Sequence, residues 1–153
     1  RPVSMTTLTL TNILGAAALA LVATAVAAEA DPSPNPVLTL RVEQIEQAQG
    51  RLMIAVFSDG ESWSGGQPAF TASAAVEGSE VELELGAVPA GEYGIKMYHD
   101  VDGDGELDTN LVGIPTEPFA FSNSAMGSFG PPAWEAAAFG VDEDNTVHTI
   151  SFR

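Results

Sequence analysis

The sequence predicts an all-β fold, an antiparallel β-sandwich of about seven strands. Three observations carry that expectation. Short segments alternate apolar and polar residues with a period of two, Gly, Pro and Asp clusters separate them, and helical periodicity is nearly absent.

Val37 to Ile45 opens the pattern, with Leu38, Leu40 and Val42 on one face and Thr39, Arg41 and Glu43 on the other. In Arg51 to Ser58 both faces are apolar, Leu52, Ile54 and Val56 against Met53, Ala55 and Phe57, which predicts a central strand covered on both sides. Asp59-Gly60 then starts a polar loop holding Trp63, which reads as a lid over the end of the sandwich or as a stacking platform for a ligand. Phe70 to Val76 has moderate strand character. Glu80 to Leu85 turns Val81, Leu83 and Leu85 inward and its glutamates outward. After the turn Pro89-Ala90-Gly91, the residues Tyr93, Ile95 and Met97 share one face of a strand that ends in His99 and Asp100. Residues 111 to 140 show no period and many Gly and Pro, with a short helix starting near Pro132. Thr146 to Phe152 is the last strand.

Residues 1–30 differ from the rest. Arg1 precedes an apolar run from Leu8 to Ala28, followed by small-residue cleavage sites at Ala25-Val26-Ala27 or Ala28-Glu29-Ala30, the pattern of a secretion signal. An uncleaved anchor is the alternative, although the run is Ala-rich and weakly apolar. Residues 31–36 form a Pro-rich linker, and 37–153 suffice for a single domain. The expected location is therefore exported, periplasmic or extracellular, with no stable membrane insertion once the signal is cleaved.

Twenty-one acidic residues against five Lys and Arg give a formal charge of −16, which excludes nucleic acid as a natural partner. The absence of cysteine removes disulfides, thiol catalysis and thiolate metal sites.

Chemistry concentrates in Asp100-Val-Asp-Gly-Asp-Gly-Glu-Leu-Asp108, five acidic residues in nine. Asp100, Asp102 and Asp104 occupy the first, third and fifth places of a calcium loop, Gly105 the sixth and Asp108 the ninth, while Leu111 stands where a sensor EF-hand carries its bidentate Glu. The expectation is a strand-borne structural calcium site built from Asp100, Asp102, Asp104, Glu106 (through its carbonyl) and Asp108, of weak affinity, roughly 10⁻⁴ to 10⁻³ M. A metal-free Asp/Gly turn is the plainer alternative. An acid/base pair is the third, without an apolar pocket to separate two acidities. His99 and His148 are the only histidines, too few for a transition-metal site. Ser122, Ser124 and Ser128 lie in no nucleophile elbow.

The succession Pro89-Ala90-Gly91-Glu92-Tyr93, His99-Asp100 with its Asp/Gly run to Leu107-Asp108-Thr109-Asn110, Gly113-Ile114-Pro115-x-Glu117, Phe121-Ser122-Asn123 and Phe129-Gly130-Pro131-Pro132 resembles an exported bacterial family. That family is domain of unknown function 2141, with Ala120 here where a Gly is expected. The resemblance spans nearly all of 37–153 and implies export and a sandwich similar to transthyretin-like or immunoglobulin-like folds, with no assigned activity. It also gives the region around the loop a second reading. His99, Asn110, Glu117, Phe119, Phe121, Asn123 and Trp134 form a candidate recognition surface, whereas the simpler alternative lets Ile114, Phe121 and Phe129 plug the open end of the sandwich. The functional expectation is an exported, calcium-stabilised binding or accessory module at the cell envelope. The alternatives are a hydrolase of envelope or extracellular polymer and a purely structural domain.

Overall fold

The computed structural model describes residues 34–153; the expected secretion signal and the first half of the linker lie outside them. Among the described residues the strands are β1 (Val37–Glu43), β2 (Arg51–Phe57), β3 (Phe70–Ala75), β4 (Val81–Ala87), β5 (Gly91–Asp100), β6 (Phe119–Phe121), β7 (Phe139–Val141) and β8 (Val147–Ser151). Two one-turn helices, α1 (Gly60–Trp63) and α2 (Trp134–Ala137), and a 3₁₀ turn at Ser122–Ser124 complete the fold. No helix among the described residues is long and apolar enough to cross a membrane.

Two sheets form. One is three-stranded, in the order β4-β1-β8, and the other runs β3-β2-β5-β6, with β7 pairing the first residues of β5. Pairing is antiparallel except between β1 and β8, which run parallel with Leu40 opposite His148 and Val42 opposite Ile150. The architecture is the β-sandwich expected, with β1–β8 as a parallel pair within it. Alternation tells which face of a strand is buried, but not which partner it takes.

The two sheets bury their facing sides against each other. Leu38, Leu40, Val42 and Ile150 from the smaller sheet meet Leu52, Ile54, Val56, Ile95 and Met97 from the larger, all nearly inaccessible. Each such side chain contributes about 1.5–3 kcal/mol of transfer free energy. As expected, β2 is central, between β3 and β5. Ser33–Arg153 make one compact unit with this core.

The opposite face of the larger sheet carries the functional candidates. Register puts Thr71, Ala55, Lys96 and Phe121 in one row across it and Ser73, Met53, Tyr98 and Phe119 in the next. At one end of this face Trp63 lies 3% exposed in an aromatic cluster with Phe57, Phe121 and Trp134. Asp59 caps α1 by accepting the Ser62 N–H at 2.7 Å, and this bond holds its carboxyl below the usual range. The Trp63 indole N–H donates to the Pro132 carbonyl at 2.8 Å. Trp63 is therefore neither an exposed platform nor a lid on the sandwich end, because α1 folds it flat onto the outer sheet face. Gly94 makes room, since a Cβ there would lie 2.8 Å from the Trp134 ring and 3.0 Å from that of Trp63.

Candidate functional site

The acidic loop joins β5 to β6 as a long hairpin. β5 delivers Asp100 opposite Arg51 at the end of the sheet, with 1% of its surface exposed. Its carboxylate organises the loop: one oxygen accepts the Gly103 N–H at 2.8 Å, the other the Gly105 N–H at 3.0 Å. Both glycines have positive φ, +81° and +85°, which lets the chain curl around the buried acid. Asp102 accepts from the Asp104 N–H at 3.2 Å and Asp104 from the Glu106 N–H at 2.8 Å, successive Asx turns. The Tyr98 hydroxyl donates to the Gly105 carbonyl at 2.9 Å.

Glu117 closes the hairpin. It is 8% exposed, and its two oxygens accept the Val101 N–H at 2.8 Å and the Asp108 N–H at 3.2 Å. The His99 N–H donates to the Pro118 carbonyl at 2.8 Å and fixes the return strand beside β5. In consequence one carboxylate oxygen from each of Asp100, Asp102 and Glu117 lies within 4.8 Å of the others.

Oxygens that share one Ca²⁺ at 2.3–2.6 Å are at most roughly 5 Å apart, so this donor set suits a hard dication. Each oxygen of Asp100 and Glu117 already accepts one N–H and keeps a second lone pair. Negative charge accumulates around the loop. Asp108 has its carboxyl raised by partial desolvation and then by Asp102, Asp104, Glu117 and Asp100. Tyr98 has its phenol raised by burial and then by Asp100, Glu117, Asp104 and Glu106.

Of the residues expected as ligands, Asp100 and Asp102 converge, while Asp104, Glu106 and Asp108 are exposed and outside the convergent group. Glu117, expected on a recognition surface, stands instead among the converging carboxylates. No local spacing announces it, because only the β5–β6 register returns it to Asp100.

Of the other residues of the expected recognition surface, Phe119 and Phe121 line a cleft over the outer sheet face, and the rest make structural contacts. His99 is buried with Nε2 2.6 Å from the Gln49 carbonyl. Asn110 accepts the N–H groups of Val112 and Ile114 within its own turn, both at 3.0 Å. Asn123 takes a left-handed conformation (φ 59°) and donates to the carbonyls of Ala136 and Ala138. Phe121 is buried and Trp134 half-buried in the aromatic cluster. The plug reading fails: Phe121 is buried, but in the aromatic cluster on the outer sheet face, and Ile114 is 58% exposed and Phe129 fully exposed. Both lie over the outer sheet face, not at the open end of the sandwich.

What they border is a cleft of about 1220 Å³. Met53, Ala55, Tyr98 and Phe119 form its floor on the sheet, and the loop residues Ile114, Pro115 and Met126 to Pro131 form its roof. Lys96 also lines it. The Lys96 ammonium donates to the Trp63 carbonyl at 2.6 Å and lies 4.7 Å and 4.6 Å from the ring centres of Phe57 and Trp63. Burial lowers its pKa from the ordinary lysine value.

Fold and site together define a two-sheet β-sandwich whose longest hairpin carries a carboxylate cluster beside an apolar cleft. The chain belongs to the bacterial family described as "Uncharacterized protein conserved in bacteria (DUF2141)", which matches residues 40–149. Neither the curated proteins nor the solved structures give a match.

Proposed function

We propose that this protein is an exported binding module of the cell envelope, with Ca²⁺ bracing the β5–β6 hairpin and the cleft beside it as the ligand face. The observation that carries the reading is the convergence of Asp100, Asp102 and Glu117 at the root of the loop whose distal part roofs the cleft. Mutual repulsion among these carboxylates falls when a dication sits between them. Bracing the root of a long loop also fixes the roof over the sheet. A hydrolytic reading draws less support, because all four oxygens of Asp100 and Glu117 accept backbone N–H bonds that hold the loop together.

Thermal unfolding of Ser33–Arg153 in about 10–100 mM CaCl₂ against EDTA at constant ionic strength tests the metal. At 100 times the dissociation constant, Ca²⁺ adds about 2.7 kcal/mol of stability. Asp102→Asn and Glu117→Gln each remove that increment. An unchanged Tm together with no calorimetric heat of Ca²⁺ uptake retires the calcium.

A further inference from the structure

We propose that the cleft over the outer face of the larger sheet binds a long-chain aliphatic monocarboxylate, with its hydrocarbon chain between sheet and roof and its carboxylate on Lys96. The inference rests on the reading of the domain as a binding module and is independent of the calcium.

The lining decides the body of the ligand. A space of about 1220 Å³ floored by Met53, Ala55 and Phe119 offers contacts to hydrocarbon and few to a sugar or a polar peptide. Met53 and Met126 line it with their side chains, while Met97 turns into the inter-sheet core. Unbranched thioether side chains adapt to a flexible chain better than branched ones do. The roof is incomplete as it stands. Ile114 and Met126 are 58% and 59% exposed and Phe129 wholly so, and together they leave an apolar surface that hydrocarbon in the cleft would cover.

Lys96 decides the headgroup. It is the only lysine in a chain with 21 acidic residues, it has no ion pair among the described residues, and unlike Arg51 and Arg153, which also have none but are exposed, it is part-buried. Its ammonium is held between two aromatic rings and bonded to one carbonyl, which uses one of three donors. A part-buried cation without a counter-ion is costly, and the cost falls when an anion arrives with the ligand. Burial alone lowers the pKa of this lysine, as expected of a part-desolvated cation. A second anionic group is disfavoured at the other end. Asp100 lies four residues further along β5, roughly 13 Å away, and brings Asp102 and Glu117 with it. Arg51 stands opposite Asp100 and donates to Ser73 of the lining at 2.8 Å, but three carboxylates outnumber it there, so the single headgroup belongs at the Lys96 end.

The test compares dodecanoate, dodecanol and dodecyltrimethylammonium below their micellar concentrations on Ser33–Arg153, by titration calorimetry and by the fluorescence of Trp63 and Trp134. Dodecanoate is expected to bind saturably at one per chain, at least about tenfold tighter than the alcohol and the cation, as a charge-assisted hydrogen bond implies. Lys96→Met should bring acid and alcohol to equal affinity, and Lys96→Arg should keep the preference. Met53→Glu should weaken all three amphiphiles, with the far-ultraviolet spectrum confirming that the variant is folded. Non-saturating uptake, preference for the cation, or an unaltered acid preference in Lys96→Met overturns the proposal. The heat of Ca²⁺ binding is read separately. Dodecanoate binding without it retires the metal alone, and Ca²⁺ binding without dodecanoate binding retires this inference alone.

Discussion

The carboxylate of Glu117 accepts the backbone N–H of Val101 at 2.8 Å, so the last residues of the hairpin loop hold its first. The second oxygen accepts the Asp108 N–H, and both bonds lie in a part-buried setting where water is a poor substitute. Glu117→Ala should therefore destabilise the domain by about 2–4 kcal/mol, each orphaned N–H costing on the order of 1–3 kcal/mol. Urea denaturation measures the loss, and amide hydrogen exchange should quicken first at Val101 and Asp108. Unchanged exchange at both positions would show that the loop keeps its shape without Glu117.

Gly50 faces the same corner from the turn that leads into β2. Its φ is +70°, and a Cβ there would lie 2.0 Å from the Asp100 carbonyl oxygen and 2.8 Å from the Val101 Cα. Backbone on both sides cannot give way cheaply, so Gly50→Ala should cost about 3 kcal/mol or more and disturb the proposed Ca²⁺ site with it. Gly78→Ala serves as the control, since nothing lies within 4 Å of that position and its φ is ordinary, and should change stability by less than about 0.5 kcal/mol. Equal effects from the two substitutions would count against the steric account.

These two positions show what the sequence discloses and what it withholds. Strands β1, β2, β4 and β5 are legible because alternation over seven or more residues marks a buried face, and Asp100 and Asp102 are legible because their spacing is local. β6 and β7 are three residues each and borrow their conformation from β5, so the Gly- and Pro-rich stretch around them shows no period. Glu117 and Lys96 are hidden for a related reason. Their importance comes from neighbours supplied by sheet register and by the fold of α1, distances that no sequence window contains. Ile114 and Phe129 look like core residues by composition, yet their loop arches over the outer face of a sheet whose inner face is already filled.

Ser122 provides a prediction far from the loop. Fully buried, its hydroxyl donates to the Ala137 carbonyl at 2.5 Å and accepts the Ile95 N–H at 2.9 Å, joining β5 to the α2 segment. Ser122→Ala orphans both groups in a fully buried site and should cost about 2–4 kcal/mol. Ser122→Thr keeps the hydroxyl but adds a methyl against a packed wall, with a smaller loss of about 1–2 kcal/mol. Chemical denaturation separates the two, and Ser122→Ala as stable as the native protein would reject the bridging role.

Stability should fall in mild acid through His148. The ring stacks on Phe139 at 3.7 Å between centroids, and Nε2 accepts the Asn123 N–H at 3.1 Å, so its neutral form carries the proton on Nδ1. Burial lowers its pKa from 6.5 to about 4. In the unfolded chain the imidazole protonates near pH 6.5, whereas in the folded one it stays neutral to about pH 4, so between those values the unfolded state binds more protons. The neutral ring's contribution is thus complete above pH 6.5 and drains away as the pH falls towards 4. The full shift corresponds to about 3 kcal/mol, and partial solvent screening of a ring that is not fully buried reduces it to about 2 kcal/mol. Denaturation curves at pH 7, 5.5 and 4.5 for the native protein and for His148→Gln should converge as the pH drops, because Gln can still accept from Asn123 but does not titrate. Curves that stay parallel over that window would place the acid sensitivity elsewhere, among the carboxylates that the lower end of the range begins to protonate.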